Sequence, residues 1–147
     1  MKMSTKGRYG LRSMLDLAIH SAGDHVALKN IAERQNISDA YLEQVFSTLR
    51  KAGLVKSIKG AQGGYVLGDT PENLTVGQIL RALEGDLLIV DQDPEENAIN
   101  KVEYCINENV WSAINKSINA VVDAITLEDL MQQYQKLCGN SSMMYYI

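Results

Sequence analysis

The order of elements legible between residues 28 and 67, LKNIAERQNISDAYLEQVFSTLRKAGLVKSIKGAQGGYVL, constrains this chain more than any other feature. A short helical stretch leads into a tight turn at Asn36-Ile37-Ser38, and a second helix follows to about Ala52. Two short strands then flank a glycine-rich tip. Helix, turn, helix and hairpin in that order predict a winged helix-turn-helix, which places its second helix in a DNA groove.

Within the second helix, Ser38 is a preferred N-cap, and Leu42, Val45, Phe46 and Leu49 commit one face to a core. Ala40, Tyr41, Glu43, Gln44, Ser47 and Thr48 lie on the free face of the first turns, where a recognition helix reaches base edges. Gln44 suits bidentate bonding to adenine, and Glu43 suits accepting from a cytosine amino group. A polar helix face also serves simply to meet water; the turn before it and the hairpin after it favour DNA readout.

Gly60, Gly63 and Gly64 separate the strand-like LVKSIK from YVL, so the tip is expected to take positive φ angles and pass close to a phosphate backbone. Lys56 and Lys59 bring charge to this wing.

The net charge of −4 hides a division. Residues 1–68 hold ten Lys/Arg against five Asp/Glu, and residues 69–147 hold four against thirteen. Phosphate binding needs local positive charge, so the first half is the expected DNA-facing half. Lys2, Lys6, Arg8 and Arg12 join the wing lysines as candidate phosphate contacts. Two cysteines, Cys105 and Cys138, make no disulfide framework, and neither a signal-like leader nor an apolar run of membrane length is present. A cytoplasmic protein with no membrane contact is expected. His20 and His25 have no partner at metal-ligand spacing and read as surface or helix-end residues. Without a nucleophile and base, a metal triad or a phosphate-cradling loop, no enzyme activity is expected.

A first helix is expected from Thr5 to about Ser21, with Gly7 and Gly10 leaving its first turn in question. Beyond Pro71, Thr75 caps a short helix over 76–84 that Gly85 ends, and an acidic loop is expected near 86–101. A long amphipathic helix is then predicted over 102–124. Its stripe, Val102, Ile106, Val110, Ile114, Ile118, Val121 and Ile125, has spacings of four, four, four, four, three and four. So small a chain cannot cover a helix of roughly 35 Å from one side at 1.5 Å per residue. Pairing with the same helix of a second chain, through Val110, Ile114, Ile118 and Val121, gives a two-fold dimer with two recognition helices. Thr126, with Asp129 as a loose capping box, opens a last helix whose apolar face is Leu127, Leu130, Met131, Tyr134 and Leu137. The expected fold is mainly α with a small β-hairpin wing: residues 1–70 form the DNA-binding domain, and 71–147 a helical dimerisation and effector region.

The segments STKGRYGLRSMLDLA, NISDAYLEQVFSTLRKAGLV, KGAQGGYVLG, LTVGQILRALEG and TLEDL occur in the order found in the Rrf-type winged-helix regulators of bacteria, which this chain resembles over most of its length. The resemblance implies a homodimer that represses or activates genes by binding operator DNA. It implies base contacts near Ser38, Ala40, Tyr41, Glu43 and Gln44, and a wing reaching the minor groove around Lys59, Gly60 and Gly63. Lys59 and Ala61 stand where family members often carry arginine and proline. Iron-sulfur branches of the family carry three cysteines before and at the start of the long helix. Here Cys105 alone stands at such a position and Glu108 replaces the expected histidine. A cluster would need ligands from elsewhere, such as Glu103, Glu108 or a second chain, so no cofactor is expected. The ending SSMMYYI resembles the tail of the cysteine-metabolism branch, whose members respond through cysteine synthase. It implies docking of Met144, Tyr145, Tyr146 and Ile147 in that enzyme, against the alternative that a short apolar terminus packs on its own domain. The expected function is repression of cysteine and sulfur-metabolism genes. An iron-sulfur sensor and a winged-helix module that binds only protein are the alternatives.

Overall fold

Ser4 opens the first helix, α1 (Thr5–Ser21): its hydroxyl accepts from the Gly7 N–H at 3.2 Å. The computed structural model describes residues 2–91 and 93–145, the last six by backbone alone. Gly7 and Gly10 are helical despite their propensity cost because a second helix, α4 (Val76–Glu84), crosses α1 there. A Cβ on Gly10 would stand 2.1 Å from Leu83 Cδ1, and one on Gly7 2.4 Å from Glu84 Oε1. The Glu84 carboxylate uses that space to accept from the Gly7 N–H at 3.0 Å and from the Ser4 hydroxyl.

Next come α2 (Leu28–Gln35) and α3 (Asp39–Lys51), joined by a turn in which Asn36 adopts the left-handed conformation, φ 55°. Asparagine is one of the few residues that tolerate it. The Ser38 side chain caps α3 by accepting from the Tyr41 N–H at 3.2 Å. Strands β1 (Val55–Ile58) and β2 (Gly64–Leu67) pair antiparallel, Val55 opposite Leu67 and Ile58 opposite Gly64. Of the tip glycines, Gly60 has a positive φ, 123°, whereas Gly63 and Gly64 do not. Those two are needed for close approach instead: a Cβ would lie 2.2 Å from the Ile58 carbonyl oxygen at Gly63 and 2.3 Å from that of Val26 at Gly64.

The second half departs from expectation in two places. Part of the expected acidic loop is a helix, α5 (Pro94–Ile99), with Asp93 capping it and proline in its first turn. Six residues are too few to show a period. The long helix forms as α6 (Lys101–Ile106) and α7 (Ser112–Ala124), joined by a π turn over Asn107–Trp111. A four-residue spacing drifts about 40° per step on an ideal α-helix, and the wider π turn takes up part of that drift. Helix α8 (Leu127–Tyr145) begins with the Thr126–Asp129 capping box, both bonds formed at 3.0 and 3.1 Å. On its expected apolar face Leu127 is fully buried and Leu130 and Met131 are half-buried, but Tyr134 and Leu137 are exposed.

One core spans both sides of residue 70. Met14 and Leu17 of α1, Ile31 of α2, Leu42 and Phe46 of α3, Ile79 and Leu83 of α4 and Leu127 of α8 share it. The link from β2 to α4 and the start of α8 meet in a bridge, Val76 N to the Ile125 oxygen at 2.8 Å and Leu127 N to the Leu74 oxygen at 2.9 Å. A smaller cluster of Val76, Leu80 and Leu87 receives Ile118 and Val122 of α7. Helix α7 is held there by Asn115, whose Oδ1 accepts from Ile89 N at 2.8 Å, and by the Arg81–Asp123 ion pair at 2.6 Å. Among the described residues, no helix is long and apolar enough to cross a membrane.

Candidate nucleic-acid interface

Helix α3 is fixed on its inner side by Leu42, Val45, Phe46 and Leu49, all buried, which leaves Ser38, Ala40, Glu43 and Gln44 exposed on one face. Tyr41 is placed differently. Its ring is half-buried against the core and meets Tyr9 of α1 edge to face, centroids 6.1 Å apart. The same Tyr9 ring lies beneath the guanidinium of Arg12 at 4.6 Å and near that of Arg8 at 5.9 Å. An aromatic pair thus sets two cations of α1 beside the N-terminal end of α3, although Tyr9 and Tyr41 are 32 positions apart in the chain. Lys6 lies one turn before Tyr9 and is half-buried.

The wing stands on the other flank. Tyr65 of β2 packs edge-on against Phe46 of α3, centroids 4.9 Å apart, so the base of the hairpin is fixed to the helix that precedes it. A groove between them is bordered by Leu28, Glu43, Lys59, Gly60 and Gly63. Glu43 of α3 and the expected wing contacts therefore face one space. Lys56 does not join them: it sits opposite Val66, away from the tip, and close to Asp69. The Asp69 carboxyl is held below the usual carboxylate range, chiefly by a hydrogen bond from Asn73, then by the Thr70 N–H and least by the charge of Lys56.

Sequence reasoning missed two supports of this surface. Asp16, on α1, is buried and takes three hydrogen bonds from Arg34, from Nε to Oδ1 and Oδ2 at 3.2 and 3.0 Å and from Nη2 to Oδ1 at 2.7 Å, with a fourth from Gln35 to Oδ2 at 2.7 Å. It ties α2, the first helix of the motif, to the body. His25 bridges Asp24 and the Gln62 carbonyl of the wing. No local pattern announces its partner 37 positions away. His20 is the helix-end residue expected, its Nδ1 2.9 Å from the Asp16 carbonyl oxygen.

The stripe of the long helix divides. Val110, Ile114 and Val121 are 40, 36 and 58% exposed, while Ile118 is half-buried in its own chain against the Val76–Leu80–Leu87 cluster. Cys105 and Cys138 are both exposed. The Cys105 carbonyl accepts from the Asn109 side chain at 2.7 Å, and its Sγ lies 3.7 Å from the same amide. Among the described residues, no three His, Cys, Asp or Glu side chains converge as metal ligands. One thiol with an amide beside it does not fit an iron-sulfur cluster, which takes four ligands. Of the expected docking residues, Tyr146 and Ile147 lie outside the described residues, and Met144 and Tyr145 are placed by backbone alone, at the end of α8.

Residues 3–133 match the family Rrf2, iron-dependent transcriptional regulators. The chain is similar to the HTH-type transcriptional regulator CymR of Bacillus subtilis (strain 168), 46% identical over 130 residues that cover 88% of this chain and 89% of that protein. Its fold is similar to the solved structure of CymR, the global cysteine regulator of B. subtilis, at a TM-score of 0.77 and 44% identity, covering 90% of this chain and 98% of the other. It is also similar to the structure of IscR from T. potens, at a TM-score of 0.74 and 45% identity, covering 93% of this chain and 90% of the other. With this extent of match and a winged helix-turn-helix in place, the chain belongs to the Rrf2 family of transcriptional regulators.

Proposed function

We propose that this regulator is a cluster-free homodimer that binds operator DNA and represses genes of cysteine and sulfur metabolism, with no catalytic activity of its own. The observation that carries DNA readout is the shared groove: Glu43, exposed beside Gln44 on the first turns of α3, borders the same space as Lys59 of the wing. Helix and wing in that relation suit a major groove and the phosphates beside it. The dimer is supported by Val110, Ile114 and Val121, aliphatic side chains left in water along α7 and the turn before it. The cysteine assignment rests on similarity to CymR, named as a cysteine regulator, and on a chain with two cysteines, neither in a ligand cluster. The iron dependence in the family's description is not carried over. Docking of the tail residues Met144, Tyr145, Tyr146 and Ile147 in cysteine synthase is the proposed control.

DNA recovered with the purified protein identifies the operator, and titration against salt tests phosphate contact. Gln44→Ala should then cost roughly 1 to 3 kcal/mol on the operator and little on mixed-sequence DNA. Equal losses on both would contradict base readout, and a brown, sulfide-containing protein after anaerobic purification would overturn the cluster-free reading.

A further inference from the structure

The tip of the wing has few ties to the body. Inside the hairpin, the Gly63 N–H donates to the Gly60 oxygen at 3.1 Å. Among the described residues, the hydrogen bond that joins positions 59–62 to a residue outside the hairpin runs from His25 to the Gln62 carbonyl. His25 stands in the connection between α1 and α2, and that connection is itself paired with the wing. Val26 N donates to the Tyr65 oxygen and Tyr65 N to the Val26 oxygen, both at 2.9 Å, so the segment acts as a short third strand beside β2. Gly64 lets the two backbones come this close. The ring of His25 is set from behind by Asp24, whose Oδ1 lies 3.0 Å from Nδ1 and accepts from the His25 N–H at 2.7 Å. The Gln62 carbonyl can only accept, so Nε2–H donates to it while Nδ1 faces the Asp24 carboxylate.

We propose that His25 is a positioning residue for DNA binding: it latches the wing tip to the α1–α2 connection and so fixes Lys59 at the distance from Glu43 and Gln44 that one duplex requires. This rests on the DNA-binding reading above. A hairpin tied at its base by Tyr65 and Val26 alone leaves its glycine tip free to sample many conformations, and a phosphate contact made from such a tip loses the entropy of ordering it. The latch removes that loss in advance.

Three substitutions separate reach from simple truncation. Glutamine at 25 puts an N–H donor near the place of Nε2, whereas asparagine reaches only the place of Nδ1, and alanine reaches neither. In the free, full-length protein, H25A and H25N should raise hydrogen exchange at the Gly63 and Gly64 amides and leave the helices unchanged; H25Q should exchange like the wild type. Titrated with a fluorescein-labelled duplex of mixed sequence, H25A and H25N should bind on the order of threefold to tenfold more weakly, with a slope of log affinity against log salt shallower by about one. H25Q should stay within about twofold, and H25A added to K59A should cost little more than K59A alone, because both act through one contact. Unchanged tip exchange and slope in both H25A and H25N, or an H25N that matches H25Q, would overturn the latch. If the wild type shows no salt-dependent duplex binding, the DNA reading fails, and exchange at the tip by itself decides whether the latch exists.

Discussion

Asp16 of α1 and Arg34 of α2 form an ion pair at 2.7 Å in which the Asp16 side chain is 1% exposed and the Arg34 side chain 34%. Gln35 donates to the second carboxylate oxygen at 2.7 Å, so the acid has partners on both oxygens. The pair joins the first helix of the DNA-binding motif to the helix on which the rest of the fold packs. Removing one partner leaves a charge inside the protein with its hydration already lost.

Arg34→Ala should therefore destabilise the fold by about 3 kcal/mol, the low end for breaking a buried pair, because Arg34 keeps part of its side chain in water. Adding Asp16→Asn should recover part of the loss, since the charge left without a partner is then gone. Urea denaturation followed by circular dichroism measures both. A loss below about 1 kcal/mol in the single variant would show that water reaches the carboxylate.

Val110→Asp with Ile114→Asp puts two charges into the exposed stripe of the long helix. Sedimentation should show a folded monomer in place of a dimer, since burying unpaired carboxylates in an apolar seam is costly. Ile118→Asp should behave differently, lowering the stability of the single chain, because Ile118 packs against Val76, Leu80 and Leu87 at home. A double variant that stays dimeric would place the interface elsewhere.

The Arg81–Asp123 pair ties α4 to α7, and the hydrogen bond from Arg81 holds the Asp123 carboxyl below its usual range. A carboxyl with a lowered folded value adds stability that is fully present above its ordinary value and is lost as pH falls through the folded one. Asp123→Asn should flatten the acid limb of a stability–pH profile below about pH 4 and leave the alkaline limb unchanged. Both carboxylate oxygens face Arg81 in an exposed setting, so the effect is small and shrinks with added salt. An alkaline limb that moved instead would contradict this assignment.

Deleting residues 143–147 should leave DNA affinity intact and abolish capture of the protein by immobilised cysteine synthase. Capture that survives the deletion would end the docking role of the tail while leaving DNA binding and the dimer untouched.

The winged helix-turn-helix was legible because its signals are local. Ser38 before an apolar face, asparagine in the turn and glycines between two strands each act within a few residues, and so do the Thr75–Gln78 and Thr126–Asp129 boxes. The α5 helix and the π turn were not legible, since six residues show no period and one inserted residue shifts a stripe without erasing it.

By itself the sequence determined the bounds of α1 to α4 and of the wing, the start of α8 and which face of α3 is left polar, and it led to the expectation that the basic half meets DNA. Tertiary structure alone decided which distant groups meet: Tyr9 with Tyr41, Asp16 with Arg34, His25 with Gln62, and Gly10 with Leu83. It also decided that Ile118 turns inward while Val110, Ile114 and Val121 remain in water. Capping, turn conformation and amphipathic period are short-range properties of neighbouring residues, whereas a contact between distant residues depends on how whole elements pack, and no pattern along the chain encodes that pairing.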